Sequence, residues 1–200
     1  MGNDTKVILS VGELAMATDK NIILTKRAII EKASILFNEQ IPIISNYFKA
    51  VVNNDSTLTS AVPKISKGEN YNGLPYVIMD FPATFNKENI FALRTMFWWG
   101  NFFSITLHIK GSYKNMYAAK ILLKIFNEPD LYISVGESEW QHHFEEDNFR
   151  KSSLITHDMK IQIERSNFLK IAIRYELHHW NMMQSILPDG YKKVAEIMIG

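Results

Sequence analysis

The sequence predicts an α+β fold, in which a mostly antiparallel sheet of about five strands packs against helices and follows an N-terminal helical pair. Several segments alternate apolar and polar residues, which is typical of strands with one wet face. Other segments repeat apolar residues at helical spacing. Of the 200 residues, 46% are hydrophobic and 22% are charged, which is the composition of a globular protein.

The first sixty residues are predicted to form the helical pair. Ile22, Ile29 and Ala33 recur at helical spacing in the first helix. Pro42 suits the first turn of the second helix, and turn-forming residues follow at 53–57. We therefore predict one domain over residues 1–200, with a helical part at 1–60, a loop at 61–75 that is rich in glycine, proline and asparagine, and an α+β core at 76–200.

The α+β core begins with a predicted strand at 76–81 and a predicted helix at 87–99. Asn86 suits the N-cap of that helix, Phe85 and Ile90 suit a hydrophobic staple, and Gly100 suits its end. The segment is apolar almost all round, which favours a central buried helix or one covered by a partner. A strand–helix–strand order here permits a local parallel pair.

The remaining predicted elements follow in sequence. They are a half-buried strand at 103–110, a helix at about 113–126, a short strand at 131–135, a hairpin of strands at 159–164 and 171–178, a turn at 188–190 and a C-terminal amphipathic helix.

Composition excludes several classes of function. The chain has no cysteine, which excludes disulfides, thiolate metal sites and a cysteine nucleophile. The net charge of +1 argues against nucleic-acid binding. The apolar run at 95–107 is shorter than the ~20 residues of a spanning helix, so we predict a cytoplasmic protein with no membrane association. Glycine-rich phosphate-binding motifs are absent from the sequence, and we assign no cofactor.

Candidate catalytic residues lie on the wet faces of two predicted strands. His108 belongs to one strand, and Arg174, Glu176 and His178 lie in or next to the other. If the strands are neighbours, the two imidazoles could converge with the nearby charges into an acid–base site.

A weaker metal candidate lies in the segment ESEWQHHFEED. If residues 137–147 are helical, Glu139, His143 and Asp147 share one face, and imidazole with carboxylate is a usual ligand set without cysteine. The favoured alternative is a set of weak surface pairs, because no recognised zinc spacing is present.

Aromatic residues concentrate between residues 71 and 103. Tyr71, Trp98 and Trp99, together with Arg94, are candidate ligand-binding residues. The favoured alternative places both tryptophans in the core and gives Arg94 a structural ion pair, with Asp80 or Glu88 as its partner.

Two functions remain open from the sequence. The leading hypothesis is an interaction module that binds a protein partner or a second copy, or a small ligand, because no catalytic motif accompanies the apolar and aromatic segments. The alternative is an enzyme that depends on histidine and carboxylate groups, such as a metal-dependent hydrolase.

Overall fold

The computed structural model describes residues 7–52 and 55–199. It confirms the α+β class and the antiparallel sheet, which has seven strands in the order β1-β2-β3-β4-β7-β5-β6 rather than about five. Every strand pairing in the described residues is antiparallel, so the local parallel pair is not found there. The strands are β1 Lys64–Tyr71, β2 Leu74–Phe85, β3 Ile90–Trp98, β4 Phe102–Lys110, β5 Tyr132–Ser134, β6 Phe149–Lys151 and β7 Phe168–Glu176.

Helices contribute the main core against one face of the sheet. Their bounds are α1 Val11–Thr18, α2 Lys20–Val52, α3 Ser56–Thr59, α4 Ser112–Ile125, α5 His157–Arg165 and α6 Met183–Ile199. Among the helices of the described residues, none combines the length and hydropathy that a bilayer crossing requires.

The predicted helical pair is wrong in one respect, because α2 is a single helix that contains Pro42. Proline removes one helical hydrogen bond and would break an isolated helix. Here a buried stripe including Phe37, Ile44 and Phe48 continues on both sides of it. Packing of that stripe on the sheet compensates for the lost bond. Residues 53 and 54 of the predicted turn lie outside the described residues.

The predicted helix at 87–99 is wrong, because residues 90–98 form strand β3 at the centre of the sheet. Both faces of β3 are covered, so its apolar residues do not alternate and cannot be told from a buried helix by their period. Asn86 caps a tight turn instead, and its Oδ1 accepts hydrogen bonds from the backbone of Glu88 and Asn89. Phe85 and Ile90 face each other across strands.

Three further predictions are corrected. The loop at 61–75 contains β1, which joins β2 through a turn with positive φ at Asn72 and Gly73. Residues 159–164, predicted as a hairpin strand, belong to helix α5, which Thr156 caps. The predicted turn at 188–190 lies inside α6, where a side chain on Gly190 would place its Cβ 2.1 Å from the Tyr175 hydroxyl oxygen. Close packing of α6 on the sheet therefore explains that glycine.

The two faces of the sheet are covered differently. Helices α2, α4 and α6 pack on the first face, where the side chains are almost all apolar. The second face has a smaller apolar cluster formed by Ile78, Met96, Trp98 and Phe102. Beside it lies a row of polar side chains, which the chain between β5 and β6 covers.

Candidate functional site

Four charged or titratable side chains meet on the second face of the sheet. Strand register sets Asp80 of β2 opposite Arg94 of β3. It also sets His108 of β4 opposite Lys170 of β7. Alternation directs these side chains away from the helices. Although His108 and Lys170 are polar, they are only 6% and 1% exposed.

Residues 135–148, here named the cover loop, enclose this row. The loop leaves β5 and returns to β6, and its ends meet where the Val135 and Gly136 amides donate to the Asn148 carbonyl at 2.8 and 3.3 Å. A side chain on Gly136 would press on residues 147 and 148 at 3.0–3.2 Å, so this closure favours glycine.

Several side chains of the cover loop contact residues of the sheet. Trp140 lies 5.8 Å from the His108 ring, and His142 lies 5.4 Å from the Tyr71 ring. Phe144 contacts Phe102 at 4.9 Å. The loop thereby adds Glu139 and His142 to the row. We name Asp80, Arg94, His108, Lys110, Glu139, His142 and Lys170 the polar cluster.

Arg94 forms the best-satisfied part of the polar cluster. Its Nε and Nη2 donate to the two carboxylate oxygens of Asp80 at 2.7 and 2.9 Å, which is a bidentate pair. Its Nη1 lies 2.9 Å from Nε2 of His142. Burial, followed by the charge of Arg94, holds the pKa of His142 well below 6.5. His142 is therefore neutral at pH 7 and can accept this hydrogen bond through Nε2.

Lys170 is the least compensated charge of the polar cluster. Its ammonium donates to the Gln141 carbonyl and lies 4.9 Å from the centre of the Phe149 ring. Among the described residues, no carboxylate lies within ion-pair distance of it. Burial, followed by the charge of Arg94, lowers the pKa of Lys170 from 10.5 to about 7, although Glu139 acts in the opposite direction.

His108 and Glu139 form an incomplete pair. The His108 Nε2 lies 3.3 Å from one Glu139 oxygen, but neither atom makes a well-aligned hydrogen bond. The other oxygen of Glu139 accepts from Lys110 at 2.8 Å. Burial, followed by the charges of Lys170, Arg94 and Lys110, lowers the pKa of His108 to about 3. A neutral imidazole therefore faces a carboxylate in a dry site.

The structure does not bring the predicted catalytic residues together. His108 lies opposite Lys170, whereas Glu176 lies opposite Phe102, six residues and ~20 Å further along β7. Arg174 forms a partly exposed pair with Glu176 at 3.1 Å. His178 lies beyond the strand and contacts the His179 ring at 3.9 Å.

The metal candidates are also separated. Residues 137–147 are not helical, and Glu139 turns toward His108 and Lys110. His143 Nδ1 lies 3.8 Å from Asp147, whose side chain is largely exposed. Within the described parts of the chain, no three His, Asp or Glu side chains are placed to hold a metal ion.

The aromatic candidates support the site rather than line an open groove. Trp98 is buried and donates through Nε1 to the Tyr71 carbonyl at 3.1 Å. Trp99 packs on the first face, 6.1 Å from the Phe97 ring. The Tyr71 hydroxyl oxygen accepts from the His142 and His143 amides at 2.6 and 3.1 Å. Tyr71 therefore anchors the cover loop.

Sequence reasoning missed Lys170. A lysine in an alternating strand normally faces water, and nothing local distinguishes this one. The useful signal lay in the cover loop, where Trp140, His142 and Phe144 occupy alternate positions. Aromatic and imidazole side chains so concentrated in a loop indicate that part of the loop packs on the body of the protein.

No family model, curated protein or solved structure matches this chain.

Proposed function

We propose that this protein is a small-ligand-binding module that holds a small anion in the polar cluster, under the cover loop. The proposal rests on the burial of Lys170. This residue is 1% exposed, and its ammonium has no carboxylate partner among the described residues. A buried charge without a counter-charge is costly, and such groups concentrate at functional sites.

The charge balance of the polar cluster favours an anion. Asp80 pairs with Arg94, and Glu139 pairs with Lys110. With His108 and His142 neutral, Lys170 supplies one positive charge in excess when the pH is below its pKa of about 7. An anion next to it would compensate that charge and remove the main electrostatic cost of the site.

The free hydrogen-bonding groups fit a small oxyanion. The Lys170 ammonium has three donors, of which the Gln141 carbonyl occupies one. The His108 Nε2 and one Glu139 oxygen have no hydrogen-bond partner. A small carboxylate or a phosphate could accept from Lys170, while a hydroxyl or protonated oxygen of the same ligand could contact His108 or Glu139.

Entry to the polar cluster requires movement of the cover loop. The loop has no regular secondary structure between its two ends. Its polar contacts with the sheet are made by Tyr71, Arg94, Lys110 and Lys170. An anion that takes the place of the Gln141 carbonyl on Lys170 would release one of these contacts and then be enclosed when the loop returns.

Thermal-shift and calorimetric titrations with inorganic phosphate, acetate and succinate, at constant ionic strength and pH 6.5, test the proposal. We expect at least one anion to bind saturably and Lys170→Met to weaken its binding at least tenfold. Lys64→Met, which removes an exposed lysine of β1, is the matched control and should bind normally. Absence of saturable binding to all three anions, or equal weakening in both variants, would refute the proposal.

A second candidate function, acid–base catalysis, is favoured by the 3.3 Å approach of His108 Nε2 to Glu139. In this role the free oxygen of Glu139 would accept a proton from the ligand, and the neutral imidazole of His108 would orient that carboxylate. To test this role, each anion that binds is incubated with the protein, and NMR measures whether the anion is converted. Turnover that disappears in His108→Gln supports the enzyme, whereas an unchanged ligand supports binding alone. Elemental analysis and a zinc titration test its metal-dependent form.

A further inference from the structure

The N-terminal arm, residues 7–19, places many large apolar side chains in water. Helix α1 within it has no buried residue. The exposed fractions are 86% for Val7, 70% for Ile8, 53% for Leu9, 89% for Val11, 54% for Leu14 and 65% for Met16. Exposed apolar surface of this extent is characteristic of an interaction site.

Residues 11–18 of the arm form helix α1, whose ends are capped. Ser10 and Glu13 form a complete capping box at the start of α1, in which the Ser10 amide donates to Glu13 at 2.7 Å. The Asp19 side chain then accepts from the Asn21 amide at 2.8 Å, at the start of α2. The capping side chains thus mark where α1 begins and ends. The arm is therefore suited to pack against a partner as a helix.

The start of helix α2 also exposes large apolar side chains, with Ile22, Ile23 and Leu24 exposed to 43%, 52% and 53%. Its first fully buried residue is Ala33. Between the start of α2 and strand β1 lies a cleft of about 540 Å³. Apolar Ile23 and Ile30 line it, together with the charged residues Lys26, Arg27, Glu31, Lys67 and Glu69.

The charges of the two segments are complementary. The arm carries Glu13 and Asp19 and no basic residue. Residues 20–32 carry Lys20, Lys26, Arg27 and Lys32 against the single acid Glu31, and because Lys26 pairs with Glu69 of β1 within the chain, Lys20, Arg27 and Lys32 are the cations offered to a second copy. A two-fold axis near residue 20 would set the acidic arm of each copy along the basic segment of the other, whereas a parallel arrangement would align like charges.

We propose that two copies of this chain associate through their N-terminal arms, with the arm of one copy lying antiparallel to the start of α2 in the other, over the cleft beside β1. Apolar residues of the arm would cover Ile23 and Ile30, and Glu13 would approach Arg27 of the second copy. An anionic membrane surface is less suited to this arm, because helices that lie on such surfaces are rich in Lys and Arg.

Sedimentation equilibrium between 1 and 100 µM, about the range in which moderate protein affinities are resolved, tests association. We expect the wild-type chain to have twice its mass of 23.1 kDa at the upper concentration. Leu14→Glu and Ile23→Glu should each weaken association at least tenfold without changing the far-UV circular dichroism spectrum of the folded chain. Val62→Glu, at a position that is 80% exposed outside the arm, is the matched control and should associate normally.

Charge and orientation are tested separately. Glu13→Gln preserves the capping box and Arg27→Gln removes the facing charge, so each should weaken association severalfold and reduce its salt dependence. The cysteine-free chain also permits directed cross-linking. When chains carrying Met16→Cys are mixed with chains carrying Leu24→Cys, disulfides between the two variants should form in preference to disulfides between two copies of the same variant.

Three outcomes would overturn the proposal. They are a wild-type monomer at 100 µM, a dimer that the arm substitutions do not affect, and preferred cross-linking of like positions. A monomer that instead binds vesicles containing anionic lipid through the arm would replace the second copy with a membrane surface. None of these results bears on anion binding by the polar cluster.

Discussion

The two faces of one sheet use different means to exclude water. On the first face, helices bury Phe37, Leu93 and Phe103 to 0% exposure. On the second face, a loop without regular structure buries ion pairs, two neutral imidazoles and a lysine. Apolar packing there is limited to the small cluster around Met96 and to aromatic contacts such as Phe144 with Phe102. The comparison indicates that helix packing stabilises the first face, whereas the polar contacts of one loop fix the charged groups of the second.

The largest expected difference between the faces is in stability. Phe37→Ala removes a fully buried ring that packs 6.2 Å from the Phe103 ring, and should lower the free energy of unfolding by about 4 kcal/mol. Phe144→Ala removes a half-buried ring of the cover loop and should cost about 2 kcal/mol. Urea denaturation measures both values. Equal losses would remove the distinction between the two faces.

The next largest effect concerns the buried ion pair. Arg94→Met leaves the Asp80 carboxylate, whose side chain is 14% exposed, without its partner and should destabilise the protein by about 3 kcal/mol. Adding Asp80→Leu removes the stranded charge and should restore most of the loss. A neutral effect of the single substitution would show that water reaches this part of the second face.

Lys170 gives the second face its own pH dependence. With a pKa of about 7 when folded and 10.5 when unfolded, the lysine takes up a proton on unfolding between these values. Stability should therefore rise with pH across this window, by up to about 1.4 kcal/mol per pH unit relative to Lys170→Met. Urea denaturation of both proteins from pH 6.5 to 10 measures this difference. Parallel pH profiles would mean that the lysine is solvated.

The smallest expected effect is confined to the cover loop. Tyr71→Phe removes the oxygen that accepts from the His142 and His143 amides, and should cost about 1 kcal/mol of cover-loop stability. Hydrogen exchange at these two amides should become about fivefold faster, while core amides of β3 and β4 keep their rates. Faster exchange throughout the sheet would indicate that loop and core open together.

The parts that sequence predicted well are those with one dominant environment. Strand β4 alternates because its polar residues turn toward the polar cluster, and the interior of α2 has a clear stripe. Strand β3 was mistaken for a helix because the cover loop and aromatic cluster hide its second face. Lys170 was missed since its burial depends on Gln141 and Phe149, which approach it only after the chain has folded. From the sequence, Asp80 and Glu88 were alternative partners of Arg94, and only the strand register selects Asp80.

The junction of the cover loop at Val135, Gly136 and Asn148 has a consequence for protein engineering and for evolutionary change. Both ends of the loop leave the sheet at one place, so a replacement segment of different length need only reproduce that closure to be accepted by the scaffold. Recognition groups carried between residues 137 and 147 can then change while the strands that supply Arg94 and Lys170 stay fixed. Loop grafting at this junction is therefore a direct way to vary the side chains that face the polar cluster.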